Sequence, residues 1–184
     1  MTSLTERALA TSLGKLLSKK TLDKITVKDI TDDCGVNRQT FYYHFHDIYQ
    51  LLEKLFSITA DDFLAQYGSS VNWKENILML MEKLLANKSL ILNAFYSVDR
   101  SQWGKFLQKL ARPALQNIAA EFSKGLNIKE EDFNFIVDIF TFAFVGILTE
   151  WIAEGMPVEY RKSIDRFFTI TEGTLQNTLE RFSN

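Results

Sequence analysis

Cysteine, proline and histidine are all scarce in this sequence of 184 residues, which contains one cysteine, two prolines and two histidines. The single cysteine, Cys34, excludes an internal disulfide and argues against a cysteine-based zinc site, which suits a reducing compartment. It is most simply a small buried hydrophobe. Residues 1–20 lack the apolar core of a secretory signal peptide, because polar side chains interrupt the apolar ones throughout. We therefore expect a cytoplasmic protein.

Histidine is confined to positions 44 and 46, so none occurs among residues 47–184. A helical-bundle enzyme or metalloprotein would need facing Glu-x-x-His pairs or a nucleophile with its base, and neither pattern occurs. His44 and His46 could be imagined as a metal site with Cys34, but a helix sends residues two positions apart to different faces. We expect a protein that is not an enzyme, with no catalytic residue, no metal and no cofactor.

A strong charge of either sign is also missing, since the net charge is −2. Such a balance argues against a protein that coats nucleic acid with its whole surface. The charge is slightly uneven, because residues 1–50 hold seven basic and six acidic side chains, whereas residues 51–184 hold fourteen and seventeen. No uncharged stretch is longer than residues 139–149, which are far fewer than the roughly 20 residues of a membrane span. This stretch predicts a buried helix and no membrane association.

Apolar residues recur at intervals of three and four, and alternating β-branched runs are missing, so the sequence predicts an all-α protein. Capping-box patterns at Ser3 and Thr26 begin two helices, the second of which ends at Gly35. A third begins after Asn37 and a fourth after Asp47. Five more helices are expected at about 73–87, 88–97, 101–124, 130–155 and 158–182, the third of them kinked or split by Pro113.

The two short helices around Gly35 form a helix-turn-helix pattern. Inward-facing apolar residues would hold the two helices at a fixed angle, and the glycine would make the turn without a Cβ penalty. Most basic residues of the N-terminal part lie in or beside this segment: Lys15, Lys19, Lys20, Lys24, Lys28 and Arg38. This is the arrangement expected of a surface that meets DNA.

The stretch ITVKDITDDCGVNRQTFYYHFHDIYQLL, residues 25–52, closely resembles the DNA-binding domain of TetR-type regulators. Nine positions match the family pattern at the right spacing, and the resemblance covers about the first 50 residues. It implies a helix-turn-helix that reads operator DNA as a homodimer. The matching residues are Thr26, Ile30, Gly35, Val36, Thr40, Phe41, Tyr42, His44 and Phe45.

The second short helix is the expected recognition helix, because its start would meet base edges in the major groove. Arg38 could pair with guanine and Gln39 with adenine, each contributing about 1–3 kcal/mol of discrimination. Thr26, Lys28 and Tyr42 are better placed for phosphates, although Tyr42 could equally be a half-buried packing residue. The complete predicted DNA-binding set is Thr26, Lys28, Asn37, Arg38, Gln39, Thr40, Tyr42, Tyr43 and His44.

Two departures from the family pattern point to a subgroup. The lysine that many relatives carry at the start of the fourth helix is replaced by Ile48, so its phosphate contact is either absent or supplied by His46 or Tyr49. The usual glycine after the first helix is replaced by KKTLDK. Together these segments look most like the subgroup associated with dihydroxyacetone kinase operons. That resemblance implies activation with a protein coactivator related to dihydroxyacetone kinase.

Residues 133–151 are apolar on all sides, so both faces of their helix must be covered, one by the protein core and one by a second subunit. The final helix carries a matching stripe, and pairs of such helices across a two-fold axis give a four-helix bundle. The resemblance implies the same homodimer. The predicted interface consists of Phe144, Ile147, Leu148, Trp151, Ile164, Phe167, Phe168, Thr171 and Leu175.

The many aromatic residues after position 50 allow two interpretations. They could line a pocket for a small-molecule effector, or they could simply fill the core, and we favour the core because few polar groups converge there. If the effector is a protein, no cavity is required. The candidate pocket residues are Trp73, Phe95, Tyr96, Trp103, Phe106, Phe140 and Phe144.

The sequence thus predicts a helix-turn-helix DNA-binding domain over residues 1–46 and a helical dimerisation and effector or coactivator domain over residues 47–184, about nine helices in all. The expected function is a dimeric, sequence-specific regulator that binds double-stranded operator DNA and activates dihydroxyacetone utilisation genes. A ligand-responsive repressor of a neighbouring operon is the alternative. A helical adaptor that binds only protein is the alternative outside gene regulation, and the exposed Arg38-Gln39-Thr40-Tyr43 surface argues against it.

Overall fold

A computed structural model describes residues 3–67, 73–171 and 173–183, and every regular element in these ranges is helical. The predicted all-α fold is confirmed. A short 3-10 helix, Leu22–Lys24, lies between α1 and α2. The helices are α1 Leu4–Leu17, α2 Val27–Cys34, α3 Arg38–His44, α4 Ile48–Tyr67, α5 Trp73–Ala86, α6 Lys88–Phe95, α7 Arg100–Phe122, α8 Glu130–Ala153, α9 Tyr160–Thr171 and α10 Thr174–Arg181.

The sequence predicted a single helix over 158–182, where the structure has α9 and α10. This difference explains why about nine helices were expected. Gly173 precedes α10 with a φ of 70°, a left-handed conformation that an uninterrupted α-helix does not contain. Pro113 lies inside α7, which continues on both sides of it, so the predicted split does not occur.

Side chains and a glycine define the ends of the first three helices. Ser3 and Thr26 each accept the backbone N–H of the residue three positions on, at 3.1 Å, and the side chains of Glu6 and Asp29 accept the cap N–H in return. Both predicted capping boxes are therefore present. Gly35 ends α2 with a φ of 72°, where a side chain would cost conformational energy.

Residues up to Ala65, together with Leu84–Trp103, form one compact unit. Within it α1 packs against both α2 and α6. Asn93 of α6 donates its side-chain amide to the carbonyl of Leu17 at 2.7 Å, which satisfies a carbonyl at the end of α1. The boundary predicted at residue 46 falls inside this unit, because the unit also contains nearly all of α4 and the whole of α6.

The second compact unit contains Gln66–Lys83 and Gly104–Asn184. Part of its core joins α7, α8 and α10 through Ala119, Ile136, Val137, Leu175 and Leu179. Arg112 of α7 binds α8 at two points, donating from Nε to Asp138 at 2.7 Å and from its terminal nitrogen to Asn134 at 3.0 Å. These contacts fix the register between α7 and α8.

Candidate nucleic-acid interface

Helix α3 separates its residues into a buried side and an exposed side. Phe41 is completely buried and Phe45 is nearly so, which anchors the helix in the first unit. Tyr43 is 84% exposed and Tyr42 is 59% exposed, although an edge of the Tyr42 ring packs against Phe41. Arg38 and Gln39 are exposed in the first turn. Arg38, Gln39 and Tyr43 therefore form an exposed surface on a helix that is held from behind.

Two of the polar residues predicted to touch DNA also cap helices. Asn37 accepts both the backbone N–H of Thr40 at 2.8 Å and its hydroxyl at 3.0 Å. Thr26 caps α2 in the same way, and Lys28 lies exposed in the first turn of that helix. Capping fixes the position of these side chains before any ligand arrives.

His44 differs from the exposed residues with which the sequence analysis grouped it. Its side chain is only 17% exposed, and Nδ1 lies 3.8 Å from Oε1 of Glu6 in α1. The imidazole therefore faces a carboxylate of its own chain. The sequence pattern did not predict Glu6 as its partner, because the two residues are far apart along the chain.

Ion pairs already occupy two of the basic side chains beside this surface. Lys20 lies 3.0 Å from Asp29, and Lys15 is paired with Asp33. Hydrogen bonds from the Thr26 N–H and from Lys20 lower the pKa of Asp29 to about 2, and the hydrogen bond from Lys15 lowers the pKa of Asp33. Both carboxylates are therefore ionised at neutral pH. Lys28 and Arg38 are exposed on either side of the turn.

Cys34 lies at the end of α2 and is partly buried. Burial raises the pKa of its thiol, and Sγ lies 3.8 Å from the carbonyl oxygen of Thr31. A thiol of raised pKa is a poor nucleophile and a poor metal ligand at neutral pH. Among the residues that the structure describes, no group of three or more His, Cys, Asp or Glu side chains could hold a metal ion.

The predicted effector-binding aromatics fall in both units. Phe95 and Trp103 are buried in the first unit, with ring centroids 5.5 Å apart, and Phe56 packs edge-on to Trp103 at 5.6 Å. Tyr96, beside them, is 63% exposed. Residues Phe106, Phe140 and Phe144 belong to the second unit, and the side chain of Trp73 lies outside the described part.

These placements favour the core interpretation of the aromatic residues. Phe56, Phe95 and Trp103 pack against one another, and Phe140 packs against the core residues shared by α7, α8 and α10. Contacts of this kind are those of side chains that fill a protein core.

A groove of about 320 Å³ lies elsewhere in the second unit, lined mainly by residues of α9 and α10 with Lys74 and Phe122. Of the predicted effector residues, none whose side chain is described lines it, whereas three of the predicted interface residues, Phe168, Thr171 and Leu175, do. Lys74 lies 5.3 Å above the Phe168 ring and 3.4 Å from Asp165, so its charge is already partly balanced. The groove has the size of a small-ligand site.

Helix α8 is apolar on two faces, only one of which the chain itself covers. Phe144, Leu148 and Trp151 are buried within the second unit. The opposite face exposes a row that we call the α8 stripe: Phe135 is 63% exposed, Phe142 55%, Ile139 48% and Ile147 38%, and Gly146 completes it. Most large apolar side chains of a soluble protein are covered, so a contiguous row of this kind marks an interaction surface.

The predicted dimer interface and the α8 stripe have few residues in common. Of the predicted residues, Ile147 is in the stripe, and Phe167 and Thr171 are half-buried. The single chain already buries the other six predicted residues, which are Phe144, Leu148, Trp151, Ile164, Phe168 and Leu175. A side chain that its own subunit already covers has little surface left for a partner. The sequence did not single out Phe135, Ile139 and Phe142.

By length and composition, α8 is the one helix among the described residues that could cross a membrane, with a mean hydropathy of 1.9. The core helix of a soluble protein meets the same criteria. Within its most apolar window 44% of the residues are buried inside the protein. The sequence predicted a buried helix for residues 139–149, and in the single chain α8 is buried on one face but exposes Ile139, Phe142 and Ile147 on the other.

Two family descriptions match the chain. Residues 14–55 match "Bacterial regulatory proteins, tetR family", and residues 71–173 match a TetR family described as "Transcriptional regulator C-terminal region". A curated relative is the HTH-type dhaKLM operon transcriptional activator DhaS of Lactococcus lactis, 23% identical over 114 residues. This match spans 58% of the chain and 60% of DhaS, so the chain covers less than two thirds of that relative.

Similar solved structures include one titled as the dihydroxyacetone kinase operon activator DhaS, with a TM-score of 0.69 and 19% identity over 98% of this chain and 99% of that one. A TetR transcriptional regulator from Streptococcus agalactiae has a TM-score of 0.58 and 22% identity, covering 91% and 93%. At these identities the likeness concerns the fold. The resemblance predicted from residues 25–52 is confirmed.

Proposed function

Because the chain belongs to the TetR family of bacterial transcription regulators, we propose that it binds operator DNA as a homodimer and reads it with α3. The observation that carries this proposal is the two-sided character of α3, in which a buried Phe41 supports the exposed Arg38 and Tyr43. Arg38 and Gln39 lie in the first turn, the part of a recognition helix that approaches base edges.

Phosphate contacts would come from the flanks of this helix. Thr26 and Lys28 lie at the start of α2, and Tyr42 presents its hydroxyl beside Tyr43. Contacts of this kind set the register of the protein on DNA and carry no sequence information. The ion pairs of Lys15 and Lys20 make these two lysines weaker candidates than Lys28.

Dimerisation would place two recognition helices on successive half-sites, about 34 Å apart along the DNA. We place the partner on the α8 stripe, because it is the apolar face of α8 that the chain's own core leaves uncovered. In a two-fold dimer the stripe of one subunit would meet the stripe of the other. Gly146 within the stripe would allow the two helices to approach closely.

The regulatory proposal is activation of dihydroxyacetone utilisation genes with a kinase-like protein coactivator, in the cytoplasm. It is supported by the likeness to DhaS, which is named as an activator of the dhaKLM operon. The second candidate is a ligand-responsive repressor, favoured by the groove beside α9 and α10. Deleting the gene should lower transcription of the target operon if the chain activates, and raise it if the chain represses.

The first test measures DNA binding. The DNA is a duplex that the unsubstituted protein enriches from a random-sequence library, and we call this duplex the selected operator. Tyr43→Ala and Arg38→Ala should each abolish tight binding while circular dichroism and sedimentation remain unchanged, because neither side chain packs inside. Tyr96→Ala is the matched control, because Tyr96 is an exposed tyrosine at the C-terminal end of α6, in the same compact unit as α3. Normal affinity in both α3 variants would overturn the assignment of the recognition helix.

A further inference from the structure

The carboxylate of Glu6 joins three helices of the first unit. One oxygen accepts the Ser3 N–H at 3.1 Å in the capping box of α1, and the same oxygen lies 3.3 Å from Nζ of Lys54 in α4. The other lies 3.8 Å from Nδ1 of His44, the last residue of α3. We call these three side chains, Glu6, Lys54 and His44, the Glu6 junction.

The junction is partly shielded from solvent, since the side chains of Glu6 and His44 are only 23% and 17% exposed. Partial burial by itself would raise the pKa of Glu6, but hydrogen bonds from Ser3 and Lys54 and the nearby charges of Lys54 and His44 outweigh it, and the pKa is lowered. Glu6 therefore carries a full negative charge at neutral pH. Screening by water is weaker here than at an open surface.

His44 connects this charge to the exposed side of the recognition helix. Its ring packs edge-on against the ring of Tyr43, with centroids 5.0 Å apart, and Tyr43 is the most exposed aromatic residue of α3. At 3.8 Å the imidazole is in ion-pair range of Glu6 but beyond an ordinary hydrogen bond. The attraction therefore depends on whether the imidazole is protonated.

We propose that Glu6 is a positioning residue for operator recognition: through His44 it holds the end of α3 against α1 and α4, and protonation of His44 tightens that hold. The inference rests on the proposed function, because it assumes that α3 reads DNA. A helix end that is already in its bound position loses less conformational freedom on binding. Operator affinity should therefore rise as acidification protonates His44.

A second pair between α1 and α4 supplies a matched control. Arg7 of α1 donates two hydrogen bonds to Asp62 of α4, each 3.2 Å long. Glu6→Gln and Asp62→Asn both remove one negative charge and both break an α1–α4 ion pair. Glu6→Gln in addition removes the carboxylate that faces His44. Gln keeps an oxygen that can accept the Ser3 N–H, so the capping box survives.

The experiment measures affinity for the selected operator between pH 6 and 8 in a His46→Gln background. The chain has only two histidines, so this background leaves His44 as its single imidazole. We expect Glu6→Gln to bind about three- to fivefold more weakly than Asp62→Asn at pH 6, the difference shrinking towards pH 8. His44→Gln, which leaves Glu6 and Lys54 paired, should likewise lose the pH response.

Parallel pH profiles for Glu6→Gln and Asp62→Asn would overturn the inference, as would a pH response that persists in His44→Gln. Either result can be separated from failure of the proposed function by Tyr43→Ala. If the unsubstituted protein binds the selected operator and Tyr43→Ala does not, the proposal that α3 recognises the DNA is retained, and only the role of Glu6 is rejected. If Tyr43→Ala binds normally, α3 is not the recognition helix and both proposals are rejected.

Discussion

Lys20 and Asp29 form an ion pair in which Nζ lies 3.0 Å from Oδ2, and the same carboxylate oxygen accepts the backbone N–H of Thr26 at 2.9 Å. One aspartate thus caps α2 and ties it to the segment that follows α1. Because these interactions stabilise the ionised form of Asp29 over the protonated form, its contribution to stability must depend on pH.

Asp29→Asn should lower the Tm at pH 7. The folded-state pKa of Asp29 is about 2, below the roughly 3.9 of an unfolded aspartate, so its stabilisation is fully present above about pH 4 and is lost as the pH falls towards 2. Thermal unfolding at several pH values should show that the difference in Tm between the unsubstituted protein and Asp29→Asn disappears in acid. Asp32→Asn, an exposed position on the same helix, serves as the control. A difference in Tm between the unsubstituted protein and Asp29→Asn that stays constant down to pH 2 would contradict this account.

Two glycines should respond to alanine in opposite directions. At Gly14, inside α1, an added Cβ would lie 3.5 Å from Leu90 and 3.6 Å from Leu55, which is ordinary contact, so Gly14→Ala should stabilise by up to about 1 kcal/mol. At Gly35 there is space, but φ is 72°, so Gly35→Ala should cost about 1 kcal/mol. Denaturant unfolding measures both. A stabilising Gly35→Ala would mean that the turn is not left-handed.

Salt should weaken operator binding steeply, because each phosphate contact releases a counterion and contributes about −0.9 to the slope of log affinity against log salt. Lys28→Gln should reduce the slope by about two for a dimer. Lys20→Gln should change it less, since Asp29 already neutralises this lysine. Fluorescence anisotropy at several salt concentrations measures the slopes. Equal slopes in the unsubstituted protein and Lys28→Gln would exclude Lys28 as a phosphate ligand.

A glutamate in the α8 stripe should split the dimer and leave the subunit folded. Phe142 is 55% exposed in the single chain, so Phe142→Glu costs little there, whereas an unpaired carboxylate in a desolvated interface costs several kcal/mol and occurs twice. Phe168 is only 5% exposed, so Phe168→Glu should instead unfold the second unit. Sedimentation and circular dichroism distinguish the two outcomes. A folded, fully dimeric Phe142→Glu would move the interface elsewhere.

A folded monomer of Phe142→Glu should also lose tight binding to the selected operator, although α2 and α3 are untouched. Each subunit carries one recognition helix, and tight binding needs two on successive half-sites. Retained affinity in a proven monomer would show that one α3 is sufficient.

The amino-acid sequence by itself determined the features that depend on neighbours along the chain. The capping boxes at Ser3 and Thr26, the left-handed turn at Gly35 and the exposed surface of α3 follow from residues three or four positions apart. Local hydrogen bonds and helical periodicity are sufficient to specify such features. For this reason the helix-turn-helix could be recognised without a structure.

Only the tertiary structure decided which face of α8 is covered and which groups meet across helices. A helix that is apolar all round has no periodicity to select its inner face, so the sequence assigned Phe144 and Leu148 to the interface, whereas packing buries both and exposes Phe142. Likewise, Glu6 and His44 are separated by most of the DNA-binding segment, and no spacing rule links them. Their contact arises because α2 packs against both α1 and α3 and so brings these two helices together. Apolar burial is non-directional, so it does not specify which polar side chains then meet.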